Sequence, residues 1–591
     1  MKNLISITVL LFVLIRGYSQ TNLQVTSVEV ANILKGNYVA ANYQASAAIS
    51  NPDIISSEIL SRLSTDSLKS YLFALKSFRT RNSGSDTVSA TQGIGAARRW
   101  AYNKFVQFSN ANEGRLRPAY FQFDFTMCGA LRHRNIIATL PGSQTVDKSV
   151  ILIEAHIDSR CESLCNIGCN AFGIEDNATG TALVLELARI LSKYTFKHTI
   201  VFSLNTAEEQ ATMGAQAFAN YMANNNIKMK AVSNNDVSGG VFCGYTASAP
   251  GCPFYSHIDS TSLRIFSYGG FNSPHKQWAR YIKLQYKEQL INSVSVPMNI
   301  RVMTNEDRIG RGGDHQPFRI KGYTSVRFTA ANENGNANIV PGYKDRQHSL
   351  RDSLGIDTNS DGIEDSLYIN LNYLARNTLI NGNAIAMAAL SPDTITLVSS
   401  IISANSVRVQ FNSATPHPAY RVAIRSISND WDSVYTITGK TSDTILLPYG
   451  SNVSFFISAA SVDGLNTESL FSTEYTLTTG MIVLSLNNKI NAKPTTIQAT
   501  YGIELMQNRP NPFDESTRIS IKSGTDIFAD RTWIRITDFN GRTIKRIKVP
   551  LKKGVNEVNF DHGFNYSGNY IYSLMIDGMI VESKQMLFAG R

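Results

Sequence analysis

Apolar residues recur along this chain at two different spacings, which predict different kinds of structure. From Pro52 onward, leucine and isoleucine recur every three or four residues, as in amphipathic helices. Near-continuous apolar runs, SVILIEA before His156 and HTIVFSLN before Glu208, instead predict short buried strands. Helical segments such as TALVLELARILSKY separate the strands. The alternation predicts an α/β fold with a mainly parallel, twisted sheet and helices on both faces.

Beyond Ser391 and Pro392 the pattern changes to short alternating stretches. VRVQF, YRVAIR, TILLP and VSFFISAAS are separated by turn residues, which predicts a small β-sandwich, and a second β-rich module follows a polar linker. The predicted regions are a leader or ordered arm over 20–52, an α/β domain over 53–392, a sandwich over 393–479, a linker over 480–502 and a β module over 503–591.

Residues 1–19 have the pattern of a secretory signal peptide. Lys2 precedes an apolar run from Leu4 to Ile15, and small residues follow before Gln20. The run is shorter than the ~20 apolar residues that a membrane span needs, and no later stretch is long and apolar enough to be one. We therefore expect an exported, soluble protein without a stable membrane span.

Length and charge narrow the classes of function. A chain of 591 residues is too long for one hydrophobic core and predicts about three or four domains. The formal net charge is +10, but lysine and arginine are scattered and do not alternate with aromatic residues in any segment. We therefore predict a solvated basic surface and no nucleic-acid partner.

The chain has six cysteines, an even number that favours disulfides in an oxidising compartment. Cys243 and Cys252 flank a short loop that contains glycine and proline, so they are the expected first pair. The pairing of the other four cysteines stays open. A separate zinc site at Cys161, Cys165 and Cys169 is the alternative, but their four-residue spacing lacks the usual CxxC turn.

Five separated fragments hold side chains that suit a two-metal site. They contribute two imidazoles and four carboxylates, ligand types that zinc accepts. Parallel sheets bind ligands at the carboxyl ends of their strands, and two of the fragments directly follow predicted strands. The fragments are EAHIDS with His156, GIEDNATG with Asp176, NTAEEQATMG with Glu208 and Glu209, SNNDVSGG with Asp236, and GGDHQPF with His315.

Two adjacent metal ions need a bridging carboxylate and about two further ligands each, with an open position for water. We predict that Asp176 bridges, that His156 and Asp236 complete one metal, and that Glu209 and His315 complete the other. Taken singly, each residue has a simpler explanation. A histidine after a strand is often structural, and an Asp-Asn-Thr segment can cap a helix.

Two further residues receive catalytic roles. Glu208 is left over from the ligand set and is free to take a proton from a metal-activated water. Asp158 is placed to accept the second N–H of His156 and to fix its tautomer. His348 is interpreted as structural, or as a neighbour of the site that binds no metal.

At these residues the chain resembles the bacterial double-zinc aminopeptidases, which are secreted zinc metalloexopeptidases. The resemblance covers about residues 53–392 and includes the HxD, DNxxG, EE, ND and DH motifs in family order. It implies the zinc exopeptidase fold, two Zn²⁺ per chain, the residue roles given above and peptide or protein substrates with a free N-terminus. Asn177 departs from the second Asp of some members, and Val237 stands where Met is more usual.

The segment DTNSDGIED matches the beginning of a calcium-binding loop. Asp357, Asn359, Asp361 and Asp365 alternate as EF-hand ligands do, and Gly362 follows the third of them. Tyr368 stands where an EF-hand has its bidentate Glu. A possible Ca²⁺ site and a simple Asp/Asn-rich turn both stay open.

The C-terminal regions resemble two other families. Residues 393–479 are similar to a fibronectin type III domain, although Phe411 stands where a Trp is common. Residues 503–591, with LMQNRPNPFDESTRISI and SGNYIYSLMIDG, resemble the C-terminal sorting domain of the type IX secretion system. This resemblance implies the type IX machinery as a partner and a secreted or cell-surface location.

The sequence thus predicts a secreted aminopeptidase that hydrolyses N-terminal residues from peptides. Three alternatives stay open: a glutaminyl cyclase-like acyltransferase on the same fold, a carboxypeptidase, and a non-catalytic receptor or adhesin. Two bound zinc ions together with cleavage of amino-acid anilides would separate the peptidase from the cyclase.

Overall fold

The chain forms two compact units in a computed structural model. The first comprises the described residues within 1–398, 409–444 and 455–476, and the second comprises those within 399–408, 445–454 and 477–591. The structure describes residues 20–247, 251–270, 272–337, 342–403, 405–426, 430–450, 453–479, 502–538, 543–561, 568–577 and 579–588. The predicted signal peptide and nearly all of the predicted linker lie outside these residues.

Nine α-helices are present in the described residues, together with short 3₁₀ and π segments at Ala40–Tyr43, Ile174–Ala178 and Tyr286–Leu290. The α-helices are α1 (Val28–Leu34), α2 (Pro52–Arg62), α3 (Thr65–Ser77), α4 (Gly93–Asn110), α5 (Thr179–Leu191), α6 (Met213–Asn224), α7 (Pro274–Gln285), α8 (His315–Ile320) and α9 (Leu371–Leu390).

The first eleven strands belong to the region of the predicted α/β domain and the arm that precedes it. They are β1 (Thr21–Val25), β2 (Arg117–Met127), β3 (Ala130–Leu140), β4 (Val150–His156), β5 (Thr199–Asn205), β6 (Met229–Asn235), β7 (Ser262–Ser267), β8 (Asn299–Val302), β9 (Ser325–Ala330), β10 (Gly355–Ile356) and β11 (Ser366–Leu367).

Nine of these strands form one large sheet in the order β1-β2-β3-β5-β4-β6-β9-β7-β8. Its central strands β5, β4, β6 and β9 pair in parallel, as the buried apolar runs predict. Antiparallel pairing appears on both sides, where β3 meets β5 and β7 meets β9, so the sheet as a whole is mixed. The parallel centre brings the carboxyl ends of β4, β5 and β6 to one edge.

Helices cover both faces of this sheet. Because successive side chains of a strand point to opposite faces, Ile151 and Ile153 of β4 pack into one apolar core, while Val150 and Leu152 pack into another. The larger core includes residues of α2, α3, α4, α5, α7 and α9, and the smaller one includes residues of α1, α6 and α8. This is the α/β architecture that the sequence predicts.

Local signals in the sequence explain where several helices begin. Asn51 caps α2 by accepting the N–H of Ile54, with Pro52 in the first turn, and Ser64 caps α3. The apolar period that starts at Pro52 is therefore two helices, divided at Leu63, whose backbone is extended.

One face of α7 packs against strands of the predicted sandwich within the first unit. The hydroxyl of Tyr281 donates to the carbonyl of Glu468 at 3.2 Å. The carboxylate of Glu474 lies between two buried guanidinium groups, 3.3 Å from Nη1 of Arg280 and 2.8 Å from Nε of Arg425. Buried ion pairs thus hold this contact in addition to apolar packing.

The remaining strands form small all-β sheets, in the orders β12-β13-β16, β15-β14-β17-β18, β19-β20-β23 and β22-β21-β24-β25. The strands are β12 (Thr396–Ser403), β13 (Ser406–Asn412), β14 (Ala419–Arg425), β15 (Ser433–Thr438), β16 (Ser442–Leu446), β17 (Ser454–Val462), β18 (Tyr475–Thr478), β19 (Glu504–Leu505), β20 (Ser516–Ser523), β21 (Thr532–Asp538), β22 (Thr543–Lys548), β23 (Gly554–Asp561), β24 (Gly568–Ile576) and β25 (Met579–Phe588).

No helix among the described residues combines the length and the apolar character needed to cross a membrane.

Candidate metal centre

Four of the five predicted ligands, together with the predicted base, converge at the edge of the sheet where the parallel strands end. His156 is the last residue of β4, Glu208 and Glu209 lie just after β5, and Asp236 follows β6 directly. Asp176 lies in the π segment that precedes α5. Adjacent parallel strands therefore bring together groups that are far apart in the sequence.

The first group of ligands consists of His156, Asp176 and Asp236. Nε2 of His156 lies 3.1 Å from Oδ1 of Asp176 and 3.4 Å from Oδ1 of Asp236. All three residues are buried, and one potential ligand atom from each lies within 4.8 Å of the others. This spacing suits one metal ion.

The second group shares Asp176 with the first and adds Glu209 and His348. Nε2 of His348 lies 3.0 Å from Oδ2 of Asp176 and 3.1 Å from Oε2 of Glu209. The two oxygens of Asp176 therefore face different groups. This is the arrangement that a bridging carboxylate requires.

Buried atoms without hydrogen bonds support the fit to metal ions. Nε2 of His156, Oδ1 of Asp236 and Oε1 of Glu209 make no hydrogen bond to any part of the chain that the structure describes. Burying such atoms is costly unless a partner compensates for the lost water. Imidazole nitrogen and carboxylate oxygen are typical zinc ligands, so these residues fit zinc.

The histidine prediction is corrected in one respect. His315 begins α8, where its Nε2 lies 3.1 Å from the carbonyl oxygen of Glu306 and 3.9 Å from Oδ2 of Asp307. It belongs to neither ligand group, and His348 takes its place. His348 lies in an irregular loop after β9, so no strand or helix pattern marked it as a ligand.

Glu208 stands apart from both groups but beside them. Its Oε2 is 4.0 Å from Nε2 of His156, and its side chain remains 14% exposed towards the cavity. The two carboxylate oxygens of Asp158 accept the backbone N–H groups of Glu208 and Glu209, each at 3.2 Å. Asp158 therefore orients the segment that carries both glutamates.

Asp158 is also close to His156, as the sequence predicts. Nδ1 of His156 lies 3.2 Å from the Asp158 carbonyl oxygen and 3.6 Å from its carboxylate. The backbone carbonyl is thus the nearer acceptor for the second N–H of the ring. Either contact directs Nε2 of His156 towards Asp176 and Asp236.

The segment that carries Asp176 is fixed by a carboxylate from the loop of His348. Asp352 accepts the N–H of Glu175 at 2.8 Å and the N–H of Asp176 at 3.0 Å. The side chain of Arg81 also donates to the carbonyl of Gly173. These contacts tie the Asp176 segment to its surroundings on two sides.

Asn177 connects the Asp176 segment to the end of β6. Its Nδ2 donates to the carbonyl of Asn235 at 2.8 Å, and its Oδ1 accepts from the N–H of Gly180 at 3.0 Å and that of Val237 at 3.3 Å. An Asp at this position could not donate. The amide therefore explains why this chain departs here from the second Asp of the family it resembles.

Arginines surround the carboxylates. Nε of Arg160 donates to Glu209 at 2.9 Å, and its Nη2 lies 2.6 Å from Nδ1 of His348. Arg327 pairs with Asp236 at 2.9 Å and also contacts Asp307. The sequence did not predict these contacts, because each arginine is distant in sequence from the carboxylate it contacts.

The charges shift the pKa values of the cluster in opposite directions. Burial disfavours the charged form of His156, but Asp236 and Glu208 outweigh it and raise its pKa well above the ordinary value. Burial likewise opposes the charge on His348, whose pKa Glu209 and Asp176 nevertheless raise. Burial would raise the pKa of Asp176, yet the two histidines lower it well below the usual range.

An open cavity of about 530 Å³ gives access to these groups. Asp176, Glu208 and His348 line it together with Arg311. Nη2 of Arg311 donates to Gln347, whereas its Nη1 has no hydrogen-bond partner among the described residues. The cavity thus combines acidic metal ligands with a cationic residue.

The predicted calcium residues lie in the exposed loop between β10 and β11. Asp357 accepts the N–H groups of Ser360 and Gly362, and Asp365 accepts the N–H of Thr358. In this structure the carboxylates therefore stabilise the turn itself. The Ca²⁺ site remains a prediction.

The cysteines pair as disulfides within the first unit. Cys243 bonds to Cys252, which confirms the expected pair, and the other bonds join Cys128 to Cys165 and Cys161 to Cys169. These bonds rule out a zinc site at Cys161, Cys165 and Cys169.

Residues 135–362 match the family model described as peptidase family M28. A probable zinc metalloprotease of Pyrenophora tritici-repentis is 33% identical over 296 residues, a match that covers 48% of this chain and 67% of the relative. The chain belongs to peptidase family M28. As a member of M28 it is a zinc metallopeptidase, and the matched residues include every ligand of both groups.

Solved structures of similar fold carry two different activities. The LapA aminopeptidase of Legionella pneumophila is 17% identical, with a TM-score of 0.40, and the match covers 57% of this chain and 74% of that one. A glutaminyl cyclase of Macrostomum lignano is 17% identical, with a TM-score of 0.39, over 59% and 97% of the two chains. Likeness at this level does not choose between the reactions.

Proposed function

We propose that this M28 peptidase is a two-metal aminopeptidase that removes N-terminal residues from peptides. The observation that carries the proposal is the pair of ligand groups that share Asp176 and face one cavity. His156, Asp176 and Asp236 would hold one zinc ion, and Asp176, Glu209 and His348 the other. Bound there, zinc would polarise the scissile carbonyl and lower the pKa of a water molecule.

Glu208 is the proposed general base. Burial raises its pKa well above the ordinary value, and Asp236, Asp314 and Glu209 add to the rise while His156 opposes it. A base with a raised pKa holds a proton more readily near neutral pH and can later pass it to the leaving amine. Asp158 positions Glu208 through its backbone N–H.

The Glu208→Gln variant tests this role. We expect it to retain its metal, because Glu208 belongs to neither ligand group, and to lose nearly all turnover, since general-base catalysis contributes about 10²- to 10⁴-fold. Glu209→Gln is the matched control and should lose metal as well as activity. A Glu208→Gln enzyme with most of its activity would remove Glu208 from the mechanism.

Direction of attack is tested with one peptide in three forms: free, N-acetylated and C-amidated, each with and without a chelator. An aminopeptidase should cleave the free and amidated forms, and should fail on the acetylated form. A second candidate, carboxypeptidase action, is favoured by Arg311, a cationic residue that lines the cavity, because guanidinium groups bind carboxylates well. Cleavage of the acetylated but not the amidated peptide would establish that candidate instead.

Two ligand groups favour a peptidase with two zinc ions over a glutaminyl cyclase, for which one zinc is expected. Metal analysis of the purified chain, together with assays on an amino-acid anilide and on a peptide with N-terminal glutamine, separates the two. One zinc per chain with cyclisation of the glutamine peptide would favour the cyclase.

We also propose that the protein is exported, with residues 503–591 as a type IX sorting domain and 393–479 as a fibronectin type III-like domain. The strands of these regions agree with small all-β modules, and the motifs quoted above provide the remaining support. Deleting 503–591 should leave the peptidase inside the cell envelope of its native host, as measured by fractionation. Unchanged release would contradict the sorting role.

A further inference from the structure

A second cavity lies between the start of α4 and the hairpin of β2 and β3. It has a volume of about 250 Å³, and four arginines line it: Arg98, Arg99, Arg132 and Arg134. None of the residues that line it is acidic. The family's metal chemistry does not use this site, because none of its residues belongs to either metal-ligand group.

Arg98 is the central observation. It is only 8% exposed, and its guanidinium group makes no hydrogen bond or ion pair within the part of the chain that the structure describes. Burial, with a contribution from Arg134, lowers its pKa to about 10, so it stays protonated at neutral pH. A buried charge without a partner is costly, and an anion in the cavity would offset that cost.

Two of the other arginines keep free donors. Arg134 directs Nε and Nη2 to a single neutral acceptor, Oε1 of Gln122, at 3.2 and 3.1 Å. Arg132 pairs with Asp124 through Nε and Nη2 at 2.9 and 3.1 Å. In each case Nη1 is not used by these contacts.

Few negative charges compensate the cluster. Nη1 of Arg99 donates to the carbonyl of Thr87 at 2.9 Å, which leaves its charge unpaired. Asp86, next to Thr87, uses its carboxylate to accept the N–H groups of Val88 and Ser89. With Asp124 and Asp86 at the margin, the four guanidinium groups still leave an excess of positive charge.

We propose that this cavity binds a phosphate group, either as free phosphate or as a phosphate monoester. Arginine binds phosphate oxygens through paired N–H donors, and several guanidinium groups around one small cavity suit a compact dianion. Tyr120 forms a wall that is held by stacking on Tyr102 at 4.8 Å between ring centroids. A cavity of 250 Å³ holds a phosphate with a short substituent.

The test measures binding to the full-length chain, without any assay of turnover, so its result does not depend on the peptidase proposal. Inorganic phosphate and glycerol 3-phosphate are titrated by calorimetry and by thermal unfolding, with chloride at equal ionic strength as the reference. We expect saturable binding and a rise in melting temperature that follows ligand concentration.

Arg98→Met removes the charge and keeps the apolar stem. We expect it to weaken phosphate binding by at least about 10-fold, as expected for the loss of hydrogen bonds to a charged group, while the ligand-free variant unfolds at the same temperature as wild type or higher. Arg134→Met is the second variant, in case the first fails to fold. Arg301→Met on β8, at the opposite edge of the sheet, is the matched control and should bind normally.

Vesicles separate the two sources of the phosphate group. Binding to the soluble phosphates supports a free ligand. Binding to vesicles that contain phosphatidate, but neither to phosphatidylcholine vesicles nor to the soluble phosphates, supports a lipid headgroup. The Arg98→Met variant should then abolish the binding to these vesicles. Failure to bind in every arm, or binding that neither arginine variant weakens, would overturn the proposal.

Discussion

At the scale of single residues, the choice between His348 and His315 decides which side chains would hold the second zinc ion of the proposed pair. We expect His348→Ala to lower the zinc content from two ions towards one per chain and to reduce activity by about 10²-fold or more, because it removes a ligand outright. Metal analysis after dialysis and a peptidase assay measure both effects.

His315→Asn is the matched control for that variant. The ring of His315 faces the carbonyl of Glu306, so the variant should keep both zinc ions even if the melting temperature falls. Loss of one zinc from His315→Asn but not from His348→Ala would restore the prediction from the sequence and contradict the geometry.

Zinc affinity should depend on pH because His156 and His348 both face carboxylates. The pKa values of His156 and His348 are raised. Without metal, both rings therefore keep their protons to a higher pH than an ordinary histidine does. Zinc must displace these protons. The apparent affinity should therefore increase as the pH rises through neutrality, as measured by chelator competition. An affinity that is flat from acidic to neutral pH would contradict these shifts.

At the scale of elements, Asn177 holds the Asp176 segment against the end of β6. Asn177→Asp keeps the size but removes the N–H that bonds to Asn235, and it adds a buried charge beside Asp176 and Asp236. We expect metal affinity to fall by about 10- to 100-fold, as for other groups that orient ligands. Competition with a chelator measures this change. Unaltered affinity in a folded variant would show that the connection is dispensable.

Gly180 allows the first turn of α5 to lie close to the end of β6. A Cβ atom there would come within 2.3 Å of the Asn235 carbonyl oxygen and 2.5 Å of Oδ1 of Asn177. The first turn of α5 can therefore approach β6 only with glycine at this position. This contact explains the glycine of the DNxxG motif in structural terms.

At the scale of the whole molecule, the contact between α7 and the sandwich strands of the first unit should contribute to stability. Glu474→Ala leaves Arg280 and Arg425 without their shared carboxylate, and breaking such a buried pair costs roughly 3–5 kcal/mol. We expect a clear fall in melting temperature by calorimetry. The variant Glu557→Ala, which breaks the exposed pair with Arg518 in the second unit, should change little.

The sequence alone was sufficient to predict much of the fold. The apolar runs of β4 and β5 and the helical period of α5 are local properties, so they predicted the parallel centre of the sheet. The antiparallel pairing of β3 with β5 was not predicted, because it joins segments that are distant along the chain and carries no local signal.

For the site, the sequence by itself determined the types of ligand and most of their positions. His156 ends a strand, Asp236 and the two glutamates come just after strands, and the ends of neighbouring parallel strands must meet at one edge. Only the tertiary structure chose His348 over His315, because a long irregular loop can return to the site from any distance in sequence. The contacts between the arginines and the carboxylates were likewise visible only in the tertiary structure. Such partners are close in space but distant in sequence, so no pattern along the chain indicates them.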